Sequence, residues 1–155
     1  METNNAPCTE AQMLIRKPSS IVFNAMIDPD QTTNFWFTKS SGKLEAGKTV
    51  TWTWEMYNVS TEVEVKEIIE NEKIVFKWNE RTVEFIFKSL SNGFTYVVVT
   101  ESGYKETGSA LLGAIKDSTG GFTTVLDGMK AFLEHGINLN LIADKFPKEA
   151  IQHGN

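Results

Sequence analysis

The chain has 155 residues and a mass of 17.4 kDa, 41% hydrophobic and 23% charged, which suits one globular domain with one sizeable core. Its net charge of −5 and pI near 5.1, with Lys and Arg scattered, argue against broad attraction to nucleic acid or an anionic membrane. One cysteine, Cys8, cannot form an internal disulfide, and no secretory leader or membrane-length apolar run is visible, so a reducing, cytoplasmic setting is expected.

Residues 1–10 are polar and expected to be loose, and a single domain is expected over 11–146, with a loose end at 147–155. Ala11–Lys17 reads as a first strand. Pro18-Ser19-Ser20 offers helix-start chemistry, a fixed φ and hydroxyl caps, before Val22, Phe23, Met26 and Ile27 at helical spacing. Asp28-Pro29 ends that helix. Asp30 is placed to cap a second short helix carrying Phe35, Trp36 and Phe37.

From Ser40 to Tyr104 the hydrophobic period becomes two. Strands are expected at Gly42–Glu45, Lys48–Met56, Thr61–Ile69, Lys73–Asn79, Thr82–Leu90 and Phe94–Glu101, with turns at Asn58, Asn71-Glu72, Asn79-Glu80 and, most strongly, Asn92-Gly93. Short connections imply an antiparallel meander. Within it, Trp52/Trp54, Phe76/Trp78 and Phe85/Phe87 are each two residues apart, which puts both rings of a pair on one face. Six buried rings represent about 10–15 kcal/mol gross, so something must cover them. The stretch Ser102–Gly121 holds five glycines and reads as a mobile entrance with at most a short helix at Ser109–Lys116. An amphipathic helix follows, with Phe122, Val125, Leu126, Met129, Phe132 and Leu133 on one face and Gly136 as its stop. Gly128 lies on the flank of that face, where a larger side chain would fill space. The apolar tail Ile137–Phe146 is expected to pack back.

Gly42-Lys43-Leu44-Glu45-Ala46-Gly47-Lys48-Thr49 fits a phosphate-loop pattern. That chemistry needs a helix directly after the lysine, whereas Val50-Thr51-Trp52-Thr53-Trp54 alternates as a strand, so a hairpin is expected. Asn58-Val59-Ser60 is a glycosylation sequon without a secretory context. His135 and His153 lie near the C-terminus, and neither they nor Cys8 cluster as a metal site, so no metal or cofactor is expected. Glu101, in phase with Val97 and Val99, would offer a carboxylate at a cavity mouth if that phase faces inward; Tyr96 and Val98 make an equally apolar opposite face.

Several segments occur in an order that resembles a known family: Ile15-Arg16-Lys17-Pro18 leading into Val22-Phe23-Asn24-Ala25, Asp28-Pro29 with Trp36-Phe37, Val50–Trp54, Thr100-Glu101-Ser102-Gly103-Tyr104, and Gly121-Phe122 with Leu126, Met129-Lys130 and Phe132-Leu133-Glu134. The chain resembles START-like (SRPBCC) proteins over about Ala11–Gly136, within the bacterial branch of the family named for the activator of the heat-shock-protein-ninety ATPase. Phe122 stands where that family usually has tryptophan. The resemblance implies an α+β helix-grip fold, as in birch-pollen allergens: a curved antiparallel sheet wrapped around a long C-terminal helix, with two short helices after the first strand. It also implies a hydrophobic cavity between sheet and helix.

The leading expectation is a small protein that binds an apolar or aromatic molecule. Trp52, Trp54, Phe76, Trp78, Phe85 and Phe87 form its sheet wall, and Phe122, Leu126 and Met129 its helix wall. A ligand of about 25 heavy atoms would bind at low-micromolar strength. The alternatives are a protein-interaction module of the chaperone-regulator kind and, third, a cyclase- or hydrolase-like enzyme using Glu101. Eukaryotic relatives carry a separate chaperone-binding domain for which 155 residues leave no room, so strong ATPase stimulation by this chain alone is not expected.

Overall fold

Alternating residues between 49 and 102 resolve into a meander closed at both ends by flanking segments, in a computed structural model that describes residues 6–151. The strands are β1 (Cys8–Ile15), β2 (Lys39–Ser40), β3 (Thr49–Trp54), β4 (Val59–Ile69), β5 (Lys73–Trp78), β6 (Arg81–Ser89) and β7 (Thr95–Ser102). They form one antiparallel sheet in the order β1-β7-β6-β5-β4-β3-β2. The helices are α1 (Ser19–Ile27), α2 (Pro29–Thr32), α3 (Gly108–His135), α4 (Leu141–Lys145) and α5 (Lys148–Ile151). A curved sheet gripping a long C-terminal helix, with two short helices after the first strand, is the α+β helix-grip fold.

Boundaries differ from the sequence reading in physically instructive places. Cys8, Thr9 and Glu10 are not loose, because they pair with Ser102, Glu101 and Thr100 of β7. At the other end, Lys148–Ile151 forms a helical turn, and residues 152–155 lie outside the described region. Gly42–Glu45 is not a strand. Leu44 turns into the core, its amide bonded to the carbonyl of Ile27 at 3.2 Å, and the edge strand is Lys39–Ser40 instead. In the phosphate-loop lookalike the backbone donors are already committed: the Gly47 amide to Val65 and the Lys48 amide to Glu45, with β3 starting at Thr49. No side-chain oxygen caps α1; the Pro18 carbonyl accepts from the amides of Ile21 and Val22. Asp28, not Asp30, caps α2, accepting from the Asp30 amide at 3.0 Å with Pro29 as first helical residue.

The largest departure is α3. The glycine-rich stretch is not a mobile entrance, because the helix begins at Gly108 and runs unbroken through Gly113, Gly120 and Gly121. Ala110, Leu111, Leu112, Ala114 and Lys116 are strong helix formers, and each glycine subtracts only about 1 kcal/mol. Gly136 ends the helix in the left-handed region at φ 68°, its amide returning to Phe132 and that of Ile137 to Ala131. Gly128 leaves no void either. A Cβ there would meet Phe35 Cβ at 3.1 Å and the Phe35 carbonyl at 3.3 Å, so glycine lets α3 lie close on the chain behind α2.

One face of β1 and of each strand from β3 to β7 is turned into the core. Phe85 pairs with Val99, Phe87 with Val97 and Val83 with Glu101, which settles the phase of β7: Val97, Val99 and Glu101 are buried while Tyr96 and Val98 are half-exposed. A bulge between Val65 and Glu67 shifts the phase of β4, so that Ile68 opposite Ile74 packs inward and Ile69 turns out.

The β5–β6 hairpin carries a local cost. Trp78 pairs with Arg81, and both residues between them take positive φ, Asn79 at 50° and Glu80 at 63°. Such a two-residue turn favours Asn-Gly, and a glutamate there is strained by roughly 1–2 kcal/mol. Glu80→Gly is therefore expected to raise stability by about 0.5–1 kcal/mol after the extra freedom of glycine in the unfolded chain is subtracted. A lower midpoint in urea denaturation would show that the glutamate side chain contributes something the turn geometry hides.

A polar clasp fixes the far half of α3. Glu134 Oε2 accepts from the Arg16 amide and from Lys130 Nζ, both at 2.7 Å, and Lys130 also donates to the Leu14 carbonyl at 3.0 Å. Burial pushes the Glu134 carboxyl up, but Lys130, the Arg16 amide and His135 outweigh it and hold it below the usual carboxylate range. The clasp therefore contributes fully above the unfolded glutamate pKa of about 4.3 and is lost as pH falls through the lower folded value. Glu134→Ala should cost about 2–3 kcal/mol at pH 7. Paired urea titrations should show that gap closing below about pH 4; a gap unchanged at pH 3 would exclude the charged clasp as its origin.

Candidate functional site

The site is built where sheet, α3 and the segment behind α2 converge. Thr32, fully buried, donates its hydroxyl to the Ala25 carbonyl at 2.6 Å, while its own carbonyl accepts from the amides of Phe35 and Trp36. This knot aims Phe35-Trp36-Phe37 into the grip. Phe37 stacks on Trp52 at 4.4 Å and 17°. Trp36 lies within 4.8 Å of Trp52, 5.7 Å of Trp78 and 6.0 Å of both Phe85 and Phe122, ring centre to ring centre.

The nine aromatic and apolar side chains expected to form the walls are brought to the same interior but not to one surface. Trp52, Phe76 and Phe85 are fully buried in the ring cluster, and Leu126 and Met129 are buried under α3. Phe87 extends the cluster toward α1, stacked beside Phe85 at 6.3 Å and edge-on to Phe23 at 5.6 Å. Trp54, half-buried at the end of β3, meets Phe37 edge-on at 6.3 Å. Of the nine, Trp78 and Phe122 border the space between sheet and α3. They line a cavity of about 130 Å³ together with Trp36, Ser118, Gly121, Val125 and Ile142. Across Trp36 and Ile142 lies a second recess of about 230 Å³, bordered by Phe35, Met56, Leu141, Asn34, Thr38 and Asn140 among others. Drug-sized ligands occupy roughly 300–1,000 Å³, so each space alone holds only a small group.

Sequence reasoning missed Trp36 and Ile142. The signal for Trp36 was a three-residue apolar run, Phe35–Phe37, directly behind a proline turn, too compact for a surface loop. For Ile142 it was the apolar tail after Gly136.

Beside the cavity stands a polar network centred on Glu101, only 2% exposed. Its Oε2 accepts from Trp78 Nε1 at 2.8 Å and its Oε1 from the Tyr104 hydroxyl at 2.9 Å, with Arg81 Nη1 at 3.6 Å. Arg81 also binds Glu106 at 2.7 Å and lies 4.3 Å over the Tyr104 ring. Burial raises the Tyr104 phenol above its ordinary value, the Glu101 charge adds to this, and the hydroxyls of Ser118 and Thr9 pull the other way. Each Glu101 oxygen thus carries a hydrogen bond, one from the Trp78 indole and one from the Tyr104 hydroxyl.

A family model described as Activator of Hsp90 ATPase homolog 1-like protein matches residues 16–134. The chain belongs to this family. No curated protein matches it in sequence. Among solved structures, protein SSP2350 from Staphylococcus saprophyticus is 28% identical, with a TM-score of 0.77 over 86% of this chain and 96% of that one. The Aha1 dimer from Colwellia psychrerythraea is 17% identical with a TM-score of 0.71, over 84% of this chain and 98% of that one. DynU16, a putative protein in the dynemicin biosynthetic locus, is 18% identical with a TM-score of 0.75, over 84% of this chain and 48% of that one. The last two share the fold. Among the described residues, no helix of this family member is long and apolar enough to cross a membrane.

Proposed function

We propose that this member of the family binds a small apolar or aromatic molecule in the grip between sheet and α3. The observation that carries the reading is the uncharged cavity walled by Trp36, Trp78 and Phe122. Aromatic walls offer large contact area at fixed geometry, and the Glu101 hydrogen bond holds the Trp78 indole in place. Glu101 acts here as a positioning residue rather than an acid or base. A cytoplasmic setting suits the lone, exposed Cys8.

A neutral aromatic probe, N-phenyl-1-naphthylamine, tests this. At about −0.3 kcal/mol for each of roughly 17 heavy atoms it gains near −5 kcal/mol, a Kd on the order of 100–200 µM. Its fluorescence should rise saturably with protein, and Phe122→Ala should weaken binding severalfold while Lys116→Ala leaves it unchanged. A linear, unsaturable response would remove the reading.

A protein-interaction role is the second reading. It draws on Leu112, 72% exposed on the N-terminal part of α3. Stimulation of the ATPase of a heat-shock-protein-ninety chaperone that is abolished by Leu112→Asp would favour it.

A further inference from the structure

Resting on that reading, we infer that α4 is a strap lying across the ligand site, and that the site spans both cavities and takes an uncharged molecule with one aromatic and one hydrogen-bonding end. The two cavities share Trp36 and Ile142 in their walls. Ile142 belongs to a five-residue helix, α4, which follows an exposed run from His135 to Asn140. So short a helix has no stability of its own and stays only where its contacts hold it.

Those contacts include a polar latch. The Tyr57 hydroxyl reaches two carbonyls of the strap, Ile142 at 3.1 Å and Phe146 at 2.6 Å, while Leu141 rests near Gly128. Tyr57 itself lines neither cavity. Lifting Ile142 joins the two spaces into one of a size that holds a complete small molecule.

The linings select the chemistry. Neither contains Asp, Glu, Lys, Arg or His. A charged ligand would be buried without a partner, which is strongly unfavourable. The inner cavity presents Trp36, Trp78 and Phe122, and suits a ring. The outer one adds Thr33, Asn34, Thr38, Asn138 and Asn140, which suit a carbonyl, amide or hydroxyl. The closed strap competes with the ligand, so apparent affinity depends on the fraction of molecules with the strap raised.

The test compares N-phenyl-1-naphthylamine with its sulfonated counterpart, 8-anilinonaphthalene-1-sulfonate, on the full chain. Salt of about 0.5 M shortens the Debye length to roughly 4 Å and screens the overall charge. The neutral probe should bind at least tenfold more tightly than the sulfonate. Tyr57→Phe, checked for an unchanged fold by circular dichroism, should raise affinity for the neutral probe about three- to tenfold by releasing the latch. Ile142→Ala, which removes the partition, should raise it as well. In backbone NMR spectra, Met56, Asn140 and Leu141 should shift together with Trp78 and Phe122. Equal affinity in wild type and both variants, or shifts confined to Trp78 and Phe122, would overturn the strap while leaving the inner-cavity reading intact. Equal binding of the sulfonate would overturn the charge selection, and no saturable binding in any variant would remove both readings.

Discussion

Trp52→Ala is expected to destabilise the protein by about 3–5 kcal/mol, the range for removing a buried indole from a core that cannot collapse around the gap. The ring is 1% exposed, stacked on Phe37 at 4.4 Å and within 6.0 Å of Trp36, Phe76 and Trp78, so its loss unpairs several aromatic contacts at once. Trp54, two residues along the same face, is half-buried and meets Phe37 only by an edge. Its replacement by alanine should cost about 1–2 kcal/mol. Urea denaturation read by circular dichroism gives both numbers. Equal losses at the two positions would mean that the ring cluster is less tightly packed than its geometry indicates.

The second large effect is at Glu101. Glu101→Ala should cost about 3–4 kcal/mol, because it strands Trp78 Nε1 and the Tyr104 hydroxyl and removes the buried partner of Arg81. Glu101→Gln keeps an acceptor for the indole, and Arg81 retains Glu106, so about 1–2 kcal/mol is expected. The difference between the two variants isolates the hydrogen bonds from the charge. If glutamine proves as damaging as alanine, the carboxylate charge itself holds the network.

Much of this fold could be read in the residues. Strict alternation from Thr49 to Trp54 has no helical reading, and Gly136 behind an amphipathic stripe is an unambiguous stop. What misled was composition taken locally. Glycines at 108, 113, 120 and 121 suggest mobility, yet the helix formers between them carry the helix through, and tertiary contact decides such cases. Gly128 shows the same limit in reverse: the residue that suggested empty space marks the closest approach of two segments.

The candidate site was legible only on its sheet and helix walls. Pair spacing identifies which rings share a face, but not what fills the space above them. Here that space is occupied by Trp36, delivered from a turn that covers no regular element. Its partner Ile142 comes from a tail whose backbone is bonded by Tyr57, 85 residues away in sequence. Contacts of that separation leave no periodic trace.

The chain has four tryptophans, Trp36, Trp52, Trp54 and Trp78, and each indole N–H gives its own NMR signal. Titration of the labelled protein with N-phenyl-1-naphthylamine therefore tests most directly whether the grip is a binding site. The signals of Trp36 and Trp78 should shift saturably and with one common Kd, while that of Trp54, outside the cavity lining, stays in place. Saturable shifts confined to the Leu112 face of α3, with all four indole signals unmoved, would contradict a ligand site in the grip.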